Sequence, residues 1–397
     1  MVSASKSQGG SGPIRLGMVG GGQGAFIGAV HRIASRIDGE FQLVAGALSS
    51  DAKRAAASAA ELGIEADRSY ASYAAMAKAE AQRPDGIEAV AIVTPNHVHW
   101  PAAKAFLEAG IHVICDKPLT STLADAKKLA AAVKKSGKLF VLTHNYTGYP
   151  MVRQAREMVQ SGKLGNIRLV HAEYPQDWLT TDLEKTGQKQ AAWRTDPKQS
   201  GAGGATGDIG THAYNLARFV SGLELDALSA DLDAFVKGRR VDDNAHIMLR
   251  FRKKGAAPAA KGMIWASHVA PGNENALKLR IYGEKGGLEW EQEHPNHLWY
   301  TPFGEEKRLI TRGGAGAGDA AGRVTRVPPG HPEGYLEGFA NIYAEAARAI
   351  RAARTKSGKA GKDVIYPTVA DGLEGVAFVD ACVKSAKANA KWTKLAL

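Results

Sequence analysis

Three ionisable side chains in this chain of 397 residues have types and spacings suited to moving a proton next to a hydroxyl group. Asp208 and His212 are four residues apart, which places a carboxylate and an imidazole on the same face of a helix. Lys117 follows a short apolar segment and precedes Pro118, whose ring fixes the turn. Each residue alone also fits a structural role: Lys117 on the surface, Asp208 as a helix cap and His212 packed beside it. No partner ligands accompany the Asp–His pair, so no metal site is predicted.

A glycine cluster near the N-terminus indicates a dinucleotide site. Gly20, Gly22 and Ala25 match the spacing G-x-G-x-x-G/A directly after an apolar strand and at the start of a helix. The glycines allow a tight turn and let the backbone approach a pyrophosphate, to which the helix N-terminus offers N–H donors. In isolation the same residues could form a glycine-rich turn without a ligand. The predicted contacts are Gly20, Gly22, Gln23, Gly24, Ala25 and Phe26.

The end of the second predicted strand bears on the choice between NAD and NADP. Asp51 could accept hydrogen bonds from the ribose hydroxyls of NAD, or it could cap the next helix. Ser49, Ser50 and Arg54 could instead hold the 2′-phosphate of NADP. The sequence slightly favours NAD and leaves NADP open.

Polar residues after the later strands complete the predicted cofactor site. Thr94 and Asn96 flank Pro95 at the edge of the sheet where such folds bind ligands. His97 and His99 fit a polar helix start better than a metal site, because no third ligand follows at zinc-like spacing. The further predicted cofactor contacts are Thr94, Pro95, Asn96, His99, Asp116, Lys117 and Asn145.

Aromatic and hydrogen-bonding residues at the predicted domain junction suit a sugar or cyclitol. Tyr146 and Tyr149 follow the last strand of the first domain, and Trp193 and Arg194 lie in a long polar loop. Each of them could equally be a packing residue. His331 could close the pocket, although a histidine in a loop is more often exposed. The predicted substrate contacts are Lys117, Tyr146, Tyr149, Trp193, Arg194, Asp208, His212 and His331.

The elements that position these residues alternate between strand and helix in the first part of the chain. Short apolar runs predict strands over residues 14–19, 41–48, 89–93, 112–115 and 139–143. Helical patterns lie between them, over residues 25–37, 52–62, 99–109 and 123–136. This alternation predicts a doubly wound parallel sheet, and we assign residues 13–146 to a Rossmann dinucleotide-binding domain.

The rest of the chain, residues 147–397, is predicted to form a domain for substrate binding and oligomerisation. Consecutive strands are expected over residues 167–174, 229–236, 245–251, 262–268, 278–282 and 287–292. Helices are expected over residues 151–161, 208–221, 333–352 and 368–388, and a mobile Gly- and Ala-rich loop over 313–326. The fold class is therefore α/β: a Rossmann domain followed by an α+β domain with a large, mainly antiparallel open sheet.

Composition narrows the classes of function. Hydrophobic residues make up 44% and charged residues 23%, as in soluble globular proteins, and no apolar run approaches the roughly 20 residues of a membrane span. The net charge of +11 is scattered along the chain, so nucleic-acid binding is not predicted. Two cysteines cannot form a disulfide framework, which fits a cytoplasmic location. Residues 1–12 lack the apolar core of a secretion signal and are interpreted as a flexible tail, native or added by cloning.

Over nearly its whole length, the chain resembles the glucose–fructose oxidoreductase / inositol dehydrogenase / rhizopine-catabolism (Gfo/Idh/MocA) family. The resemblance rests on the glycines of 20–24, Thr94-Pro95-Asn96, Lys117-Pro118, Trp193-Arg194, the segment 207–212, Tyr282-Gly283 and the segment 286–290. It implies that Lys117, Asp208 and His212 are the catalytic set. It also implies homodimers or homotetramers formed through the C-terminal sheet. One departure is Asp116, where the family usually has Glu, so contacts on the nicotinamide side could be rearranged.

These groups predict an NAD(P)-dependent enzyme that oxidises a secondary hydroxyl of a sugar, glycoside or cyclitol. Hydride would leave the carbinol carbon for C4 of the nicotinamide while His212 removes the hydroxyl proton. Lys117 would stabilise the developing alkoxide, and Asp208 would orient the substrate or the catalytic pair. Two alternatives stay open: an NAD-dependent glycosidase or lyase that oxidises its substrate transiently, and a non-catalytic dinucleotide sensor.

Overall fold

The computed structural model describes residues 12–253, 255, 257–355 and 358–397. Its N-terminal part is a parallel five-stranded sheet with strand order β2-β1-β3-β4-β5. The strands are β1 (Ile14–Gly20), β2 (Phe41–Ala47), β3 (Ala89–Val93), β4 (His112–Cys115) and β5 (Phe140–Leu142). The connecting helices are α1 (Phe26–Ile37), α2 (Ala52–Glu61), α3 (Tyr73–Glu80), α4 (Asn96–Glu108) and α5 (Leu123–Ser136). The predicted doubly wound sheet is confirmed, and the predicted tail lies outside the described residues except for Gly12.

The carboxyl ends of these parallel strands all point to one edge of the sheet, where the cofactor residues were predicted. Strand β3 is buried along its whole length, which is why its sequence is continuously apolar rather than alternating. The sequence pattern missed α3, whose alanine-rich sequence has little amphipathic contrast. Ser72 caps this helix by accepting a hydrogen bond from the backbone N–H of Ala75.

The C-terminal part contains a sheet of eight strands in the order β13-β12-β11-β10-β6-β9-β8-β7. All of its pairings are antiparallel except the one between β6 and β9. The strands are β6 (Ile167–Pro175), β7 (Leu225–Asp233), β8 (Asn244–Phe251), β9 (Lys261–Ser267), β10 (Lys278–Gly283), β11 (Gly286–Glu291), β12 (His297–Pro302) and β13 (Arg308–Thr311). The mainly antiparallel sheet is confirmed, while β12 and β13 were not predicted and β7 begins four residues earlier than the predicted 229.

Helices cover one face of this sheet and connect it to the Rossmann part. They are α6 (Pro150–Gln160), α7 (Lys189–Arg194), α8 (Pro197–Ser200), α9 (Thr211–Ser221), α10 (Asp319–Gly322), α11 (Tyr335–Ala353) and α12 (Val369–Lys387). Phe339 and Tyr343 of α11 pack in the same buried cluster as Ile14 and Phe41 of the parallel sheet. A late segment of the chain thus completes the core of the Rossmann part.

The segment 313–326, predicted as a mobile loop, contains α10 and is anchored at several points. The backbone N–H of Gly318 donates to Gln154 at 2.5 Å, and Ala321 is fully buried. Arg323 forms ion pairs with Glu345 on α11. Small residues let this segment pack closely against α6, so composition alone did not reveal its order.

Candidate active site

A cavity of about 1060 Å³ lies between the carboxyl edge of the parallel sheet and the helical face of the C-terminal sheet. Both parts of the chain contribute to its wall. The predicted site residues that line it are Gly20, Gly22, Gln23, Ala25, Phe26, Ser49, Ser50, Arg54, Thr94, Pro95, Asn96, Asp116, Lys117, Asn145, Tyr146, Trp193, Arg194, Asp208 and His212. The cavity therefore joins the predicted cofactor residues to the predicted catalytic residues.

The glycine-rich loop between β1 and α1 has the form of an anion cradle. Gly20 has φ +79°, and a Cβ there would lie 2.9 Å from the carbonyl oxygen of Val93. Helix α1 begins after Ala25, and no side chain in the described part of the chain caps its first turn. The N–H donors of that turn are left for a ligand, and the helix N-terminus favours a negative one. These features fit the pyrophosphate of a dinucleotide.

Of the residues predicted to contact the adenosine part of the coenzyme, some line the cavity and one does not. Ser49, Ser50 and Arg54 line the cavity. Asp51 does not: its carboxylate accepts a hydrogen bond from the backbone N–H of Arg54 at 2.7 Å and caps α2. Of the two roles predicted for Asp51, the structure shows the cap.

Two buried polar atoms near the nicotinamide end have no hydrogen-bond partner among the described residues: Thr94 Oγ1 and Asn145 Nδ2. Both residues line the cavity, so these atoms are suited to a polar ligand group such as a carboxamide. Asn96 also lines it and donates from Nδ2 to the carbonyl of Ser200 at 2.8 Å. His99 is fully buried, with Nδ1 2.8 Å from the carbonyl oxygen of Pro118 and Nε2 2.9 Å from that of Thr94. Burial lowers the pKa of His99, so the neutral ring donates to one of these carbonyls. His99 therefore fixes one of these two site loops from behind.

Asp116, the residue before Lys117, is held by side chains of the N-terminal part of the chain. Thr143 Oγ1 donates to its Oδ1 at 3.0 Å, and His31 Nε2 lies 3.7 Å from the same oxygen. Burial opposes ionisation of Asp116, but the contact with His31 and the charges of His31 and Lys117 hold the pKa of the carboxyl below its ordinary value. Asp116 thus places a second carboxylate beside Lys117.

Lys117 and Asp208 form the centre of a charged cluster. Lys117 Nζ donates to Asp208 Oδ1 at 2.9 Å and to its backbone carbonyl at 2.7 Å. Asp208 Oδ2 accepts from Arg194 Nε at 3.2 Å and lies 3.4 Å from His268 Nε2. Burial opposes ionisation of Asp208, but Lys117, Arg194 and His268 outweigh it and hold the pKa of the carboxyl well below its ordinary value. No sequence pattern predicted a role for His268, the residue that follows β9.

His212 is a buried imidazole beside this cluster. Burial, followed by the charges of Lys117 and His144, holds its pKa well below 6.5, so the ring is neutral at neutral pH. Its Nδ1 has no hydrogen-bond partner among the described residues, and its ring centroid lies 4.9 Å from that of Tyr146. A neutral imidazole in a cavity wall can accept a proton.

Asp208 and His212 do not form the side-chain pair expected of residues four apart on one α-helix. Residues Thr206–Gly210 form a π-helical turn before α9, and within the described residues the two side chains do not bond each other. The turn is anchored by Asp242, whose carboxylate accepts from the N–H of Gly204 and from the N–H and hydroxyl of Thr206, each at 2.7 Å. Asp208 is therefore directed to Lys117 rather than to His212.

Five predicted site residues do not line the cavity: Gly24, Asp51, His99, Tyr149 and His331. Gly24 has φ +76° in the cradle loop, and Asp51 and His99 have the supporting roles given above. Tyr149 is buried against Tyr146 and Trp290, with ring centroids 5.8 and 5.5 Å away. His331 is exposed and absent from the cavity lining, and Arg312 binds its carbonyl oxygen. We therefore omit Tyr149 and His331 from the proposed substrate contacts.

The cavity wall also contains residues that sequence patterns missed: Tyr174, Gln176, Trp178, Asn275, Gln292 and Tyr335. They come from the end of β6, from the residue after β11, from loops and from the start of α11. Trp193 and Arg194 face them from α7, with the guanidinium 4.3 Å from the indole ring centre. No short motif connects such distant positions, so only the fold reveals them.

The described residues contain neither a candidate membrane span nor a candidate metal site. No helix among them is long and apolar enough to cross a membrane. No group of three or more His, Cys, Asp or Glu side chains among them is arranged to hold a metal ion.

The fold and the cavity together define a dinucleotide-dependent oxidoreductase, since a glycine-rich Rossmann edge meets proton-handling side chains there. Residues 14–146 match the oxidoreductase family with an NAD-binding Rossmann fold, and residues 152–289 match the GFO/IDH/MocA C-terminal domain. The chain belongs to the GFO/IDH/MocA oxidoreductase family, as its motifs predicted.

Three known proteins show how far the similarity extends. An oxidoreductase structure from Sinorhizobium meliloti is 63% identical, with a TM-score of 0.88, and the match covers 96% of this chain and 99% of that one. An inositol dehydrogenase homolog from Azotobacter vinelandii, complexed with NADH and myo-inositol, is 35% identical, with a TM-score of 0.89 and coverage of 97% and 98%. Levoglucosan dehydrogenase of Pseudarthrobacter phenanthrenivorans is 29% identical over 96% of this chain and 97% of its own length.

Proposed function

We propose that this protein is an NAD(P)-dependent dehydrogenase that oxidises a secondary hydroxyl of a cyclitol or sugar ring. The observation that carries the proposal is the neutral, buried His212 beside the Lys117–Asp208 pair. These groups line the same cavity as the uncapped start of α1. A proton acceptor and a cation therefore lie close to the predicted nicotinamide end.

In the proposed reaction, the alcohol loses a hydride from its C–H bond and a proton from its O–H bond, and each goes to a different acceptor. The bound coenzyme supplies the hydride acceptor. Lys117 donates a hydrogen bond to the reacting oxygen and stabilises negative charge on it, while His212 takes the hydroxyl proton. Asp208 holds the Lys117 ammonium group at 2.9 Å and offsets its charge. The products are a ketone, a reduced coenzyme and one proton.

The proposed substrate class rests on the cavity wall and on the relatives. The cavity wall includes phenols, amides and indoles, which suit hydroxyl groups and the apolar faces of a sugar ring. Of the three relatives named above, one was crystallised with myo-inositol and one bears the name levoglucosan dehydrogenase. Both compounds are neutral, ring-shaped polyols, so we propose a cyclitol first and an anhydrosugar or free sugar second.

We propose NAD as the coenzyme, because the inositol dehydrogenase homolog was crystallised with NADH. NADP is a second candidate for a specific reason. Arg54 and two serines line the cavity after β2, where the ribose is predicted to bind, while Asp51 is engaged as a helix cap and is absent from the cavity wall.

The outer face of the C-terminal sheet is proposed to form a homodimer or homotetramer contact. Met248 and Met263 are 53% and 39% exposed and pair on adjacent strands. Trp299 and Leu309 form a second exposed apolar pair at the far edge of the same face, with three strands between the two pairs. Both cysteines, Cys115 and Cys382, are free and buried, which supports a cytoplasmic location as a proposal.

A spectrophotometric screen of inositols, sugars and glycosides with NAD and with NADP tests the function. Steady formation of reduced coenzyme with a polyol is expected. Release of an aglycone without net reduced coenzyme would favour the glycosidase or lyase alternative. Coenzyme binding without turnover of any compound would favour the sensor.

A further inference from the structure

A continuous chain of hydrogen bonds crosses the substrate wall of the cavity. It contains Trp178, Gln176, Asn275, Tyr174 and Tyr146, which we call the Trp178–Tyr146 chain. All five residues line the cavity. The hydrogen-bond lengths along it are 3.2, 2.7, 2.7 and 2.5 Å.

The direction of each hydrogen bond follows from the first one. An indole N–H can only donate, so Gln176 must present its oxygen to Trp178 Nε1. The amide nitrogen of Gln176 therefore faces Asn275 and donates to its Oδ1. The opposite orientation of the Gln176 amide is excluded, because it would place the Gln176 NH₂ group against the indole N–H, and both are donors.

The same reasoning continues to the end of the chain. Asn275 offers its oxygen to Tyr174, so the Tyr174 hydroxyl must donate its only proton there. Tyr174 can then only accept from Tyr146. Asn275 Nδ2 donates to Gln292 Oε1 at 2.9 Å, which is consistent with this orientation of the Asn275 amide.

Tyr146 is left with lone pairs and no proton for a ligand. Burial, the largest cause, raises the pKa of Tyr146 to about 12, so the phenol keeps the proton that it donates to Tyr174. The Tyr146 ring lies 4.9 Å from the His212 ring, centre to centre. A hydroxyl that binds Tyr146 would therefore be close to the hydroxyl that loses its proton to His212.

We propose that the Trp178–Tyr146 chain makes Tyr146 an obligate hydrogen-bond acceptor, which selects substrates with a second, proton-donating hydroxyl near the oxidised carbon. The inference rests on the proposed function and deepens it. It makes Tyr146 a specificity-determining contact, and it makes Trp178 a positioning residue that acts through the chain.

The test uses myo-inositol, its monodeoxy analogues and the matching monodeoxyfluoro analogues with the full-length enzyme and NAD. Fluorine cannot donate a hydrogen bond. At one position other than the oxidised carbon, both analogues should lose about tenfold or more in kcat/KM, because a polar contact is left unmade. In Tyr146→Phe, the loss caused by removing that hydroxyl should fall to about threefold or less, since coupled partners are not additive.

A second variant tests whether Trp178 sets the direction of the hydrogen bonds in the chain. Trp178→Phe removes the donor-only group, so the amides can turn over and Tyr146 can donate outward. The deoxyfluoro analogue should then recover relative to the deoxy analogue. Trp265→Phe is the matched control: its Nε1 donates to Asn244 Oδ1 at 3.0 Å, outside both the chain and the cavity, so it should leave the ratio between the two analogues as in the wild type.

The outcomes separate this inference from the proposed function. If the deoxyfluoro analogue retains nearly full kcat/KM at every position, or if Tyr146→Phe changes no position, the inference is wrong while the dehydrogenase function stands. If the wild type neither binds myo-inositol as its NADH complex in calorimetry nor oxidises any polyol, the proposed function fails and the inference falls with it.

Discussion

The coenzyme half of the cavity takes most of its predicted contacts from short continuous segments, whereas the substrate half gathers side chains from distant parts of the chain. The cradle is formed within residues 20–26, at one junction of strand and helix. The Trp178–Tyr146 chain instead joins residues up to 129 positions apart, from Tyr146 to Asn275. A backbone cradle needs a local sequence pattern, while a side-chain wall needs only that the fold bring its members together.

Lys117 and Asp208 connect the two halves, so the largest effect is expected there. Lys117→Ala should lower kcat by about 10²–10³-fold, because the donor to the developing alkoxide is lost. The affinity for NADH, measured by fluorescence, should change little. Lys128→Ala removes the same charge from an exposed helix position and should keep wild-type rates. Equal rates in both variants would remove Lys117 from the catalytic set.

His212 should make the pH profile of oxidation unusual for a histidine base. The working form is unprotonated, and burial holds its pKa well below 6.5, so kcat/KM should stay constant as the pH falls through 6.5 and decline only in more acid solution. His212→Gln should lose about 10²-fold and show no such acid limb. A decline of the wild-type profile centred at 6.5 would contradict the assignment of this buried imidazole.

Within the coenzyme half, Arg54 should contribute to binding of NADP far more than to binding of NAD. Arg54→Ala should raise the KM for NADP about tenfold, the value of one charge-assisted hydrogen bond, and leave the KM for NAD within about twofold. Arg36→Ala loses the same charge at the end of α1, outside the cavity lining, and serves as the control. Equal losses for both coenzymes would show that Arg54 does not contact the 2′-phosphate.

The smallest effect concerns Asp51. Because Asp51 caps α2, Asp51→Ala should lower the free energy of unfolding by about 1 kcal/mol, measured by urea denaturation. The KM for NAD should be unchanged. Thr122→Ala removes a comparable cap from α5 and should give a similar loss. A large rise in the KM for NAD with unchanged stability would restore the ribose role that the sequence left open.

The sequence was sufficient for the parts of the protein that depend on local periodicity. Buried parallel strands such as Ala89–Val93 appear as unbroken apolar runs, and the glycine spacing at 20–25 reflects a turn that backbone sterics dictate. His268 and Asn275 carry no such signal. Each is an ordinary polar residue in its own segment, and its role arises only from tertiary contacts with Asp208 or Tyr174.

Tertiary contacts also explain the residues whose positions the sequence predicted wrongly. His331 was predicted near the pocket from its residue type, but Arg312 binds the backbone of its loop and leaves the ring exposed. The π-helical turn at Thr206–Gly210 also changes the relation of Asp208 to His212, which ideal helical spacing could not predict. Backbone anchors distant in sequence decide both cases.

The most direct test of the central claim is to follow deuterium from carbon-deuterated myo-inositol, or from the best polyol of the screen, into the coenzyme. The account predicts one deuterium in each reduced nicotinamide for each ketone formed, with transfer nearly abolished in Lys117→Ala. Ketone formation without deuterium in the coenzyme would contradict hydride transfer at this site, and turnover without net reduced coenzyme would contradict net oxidation as its reaction.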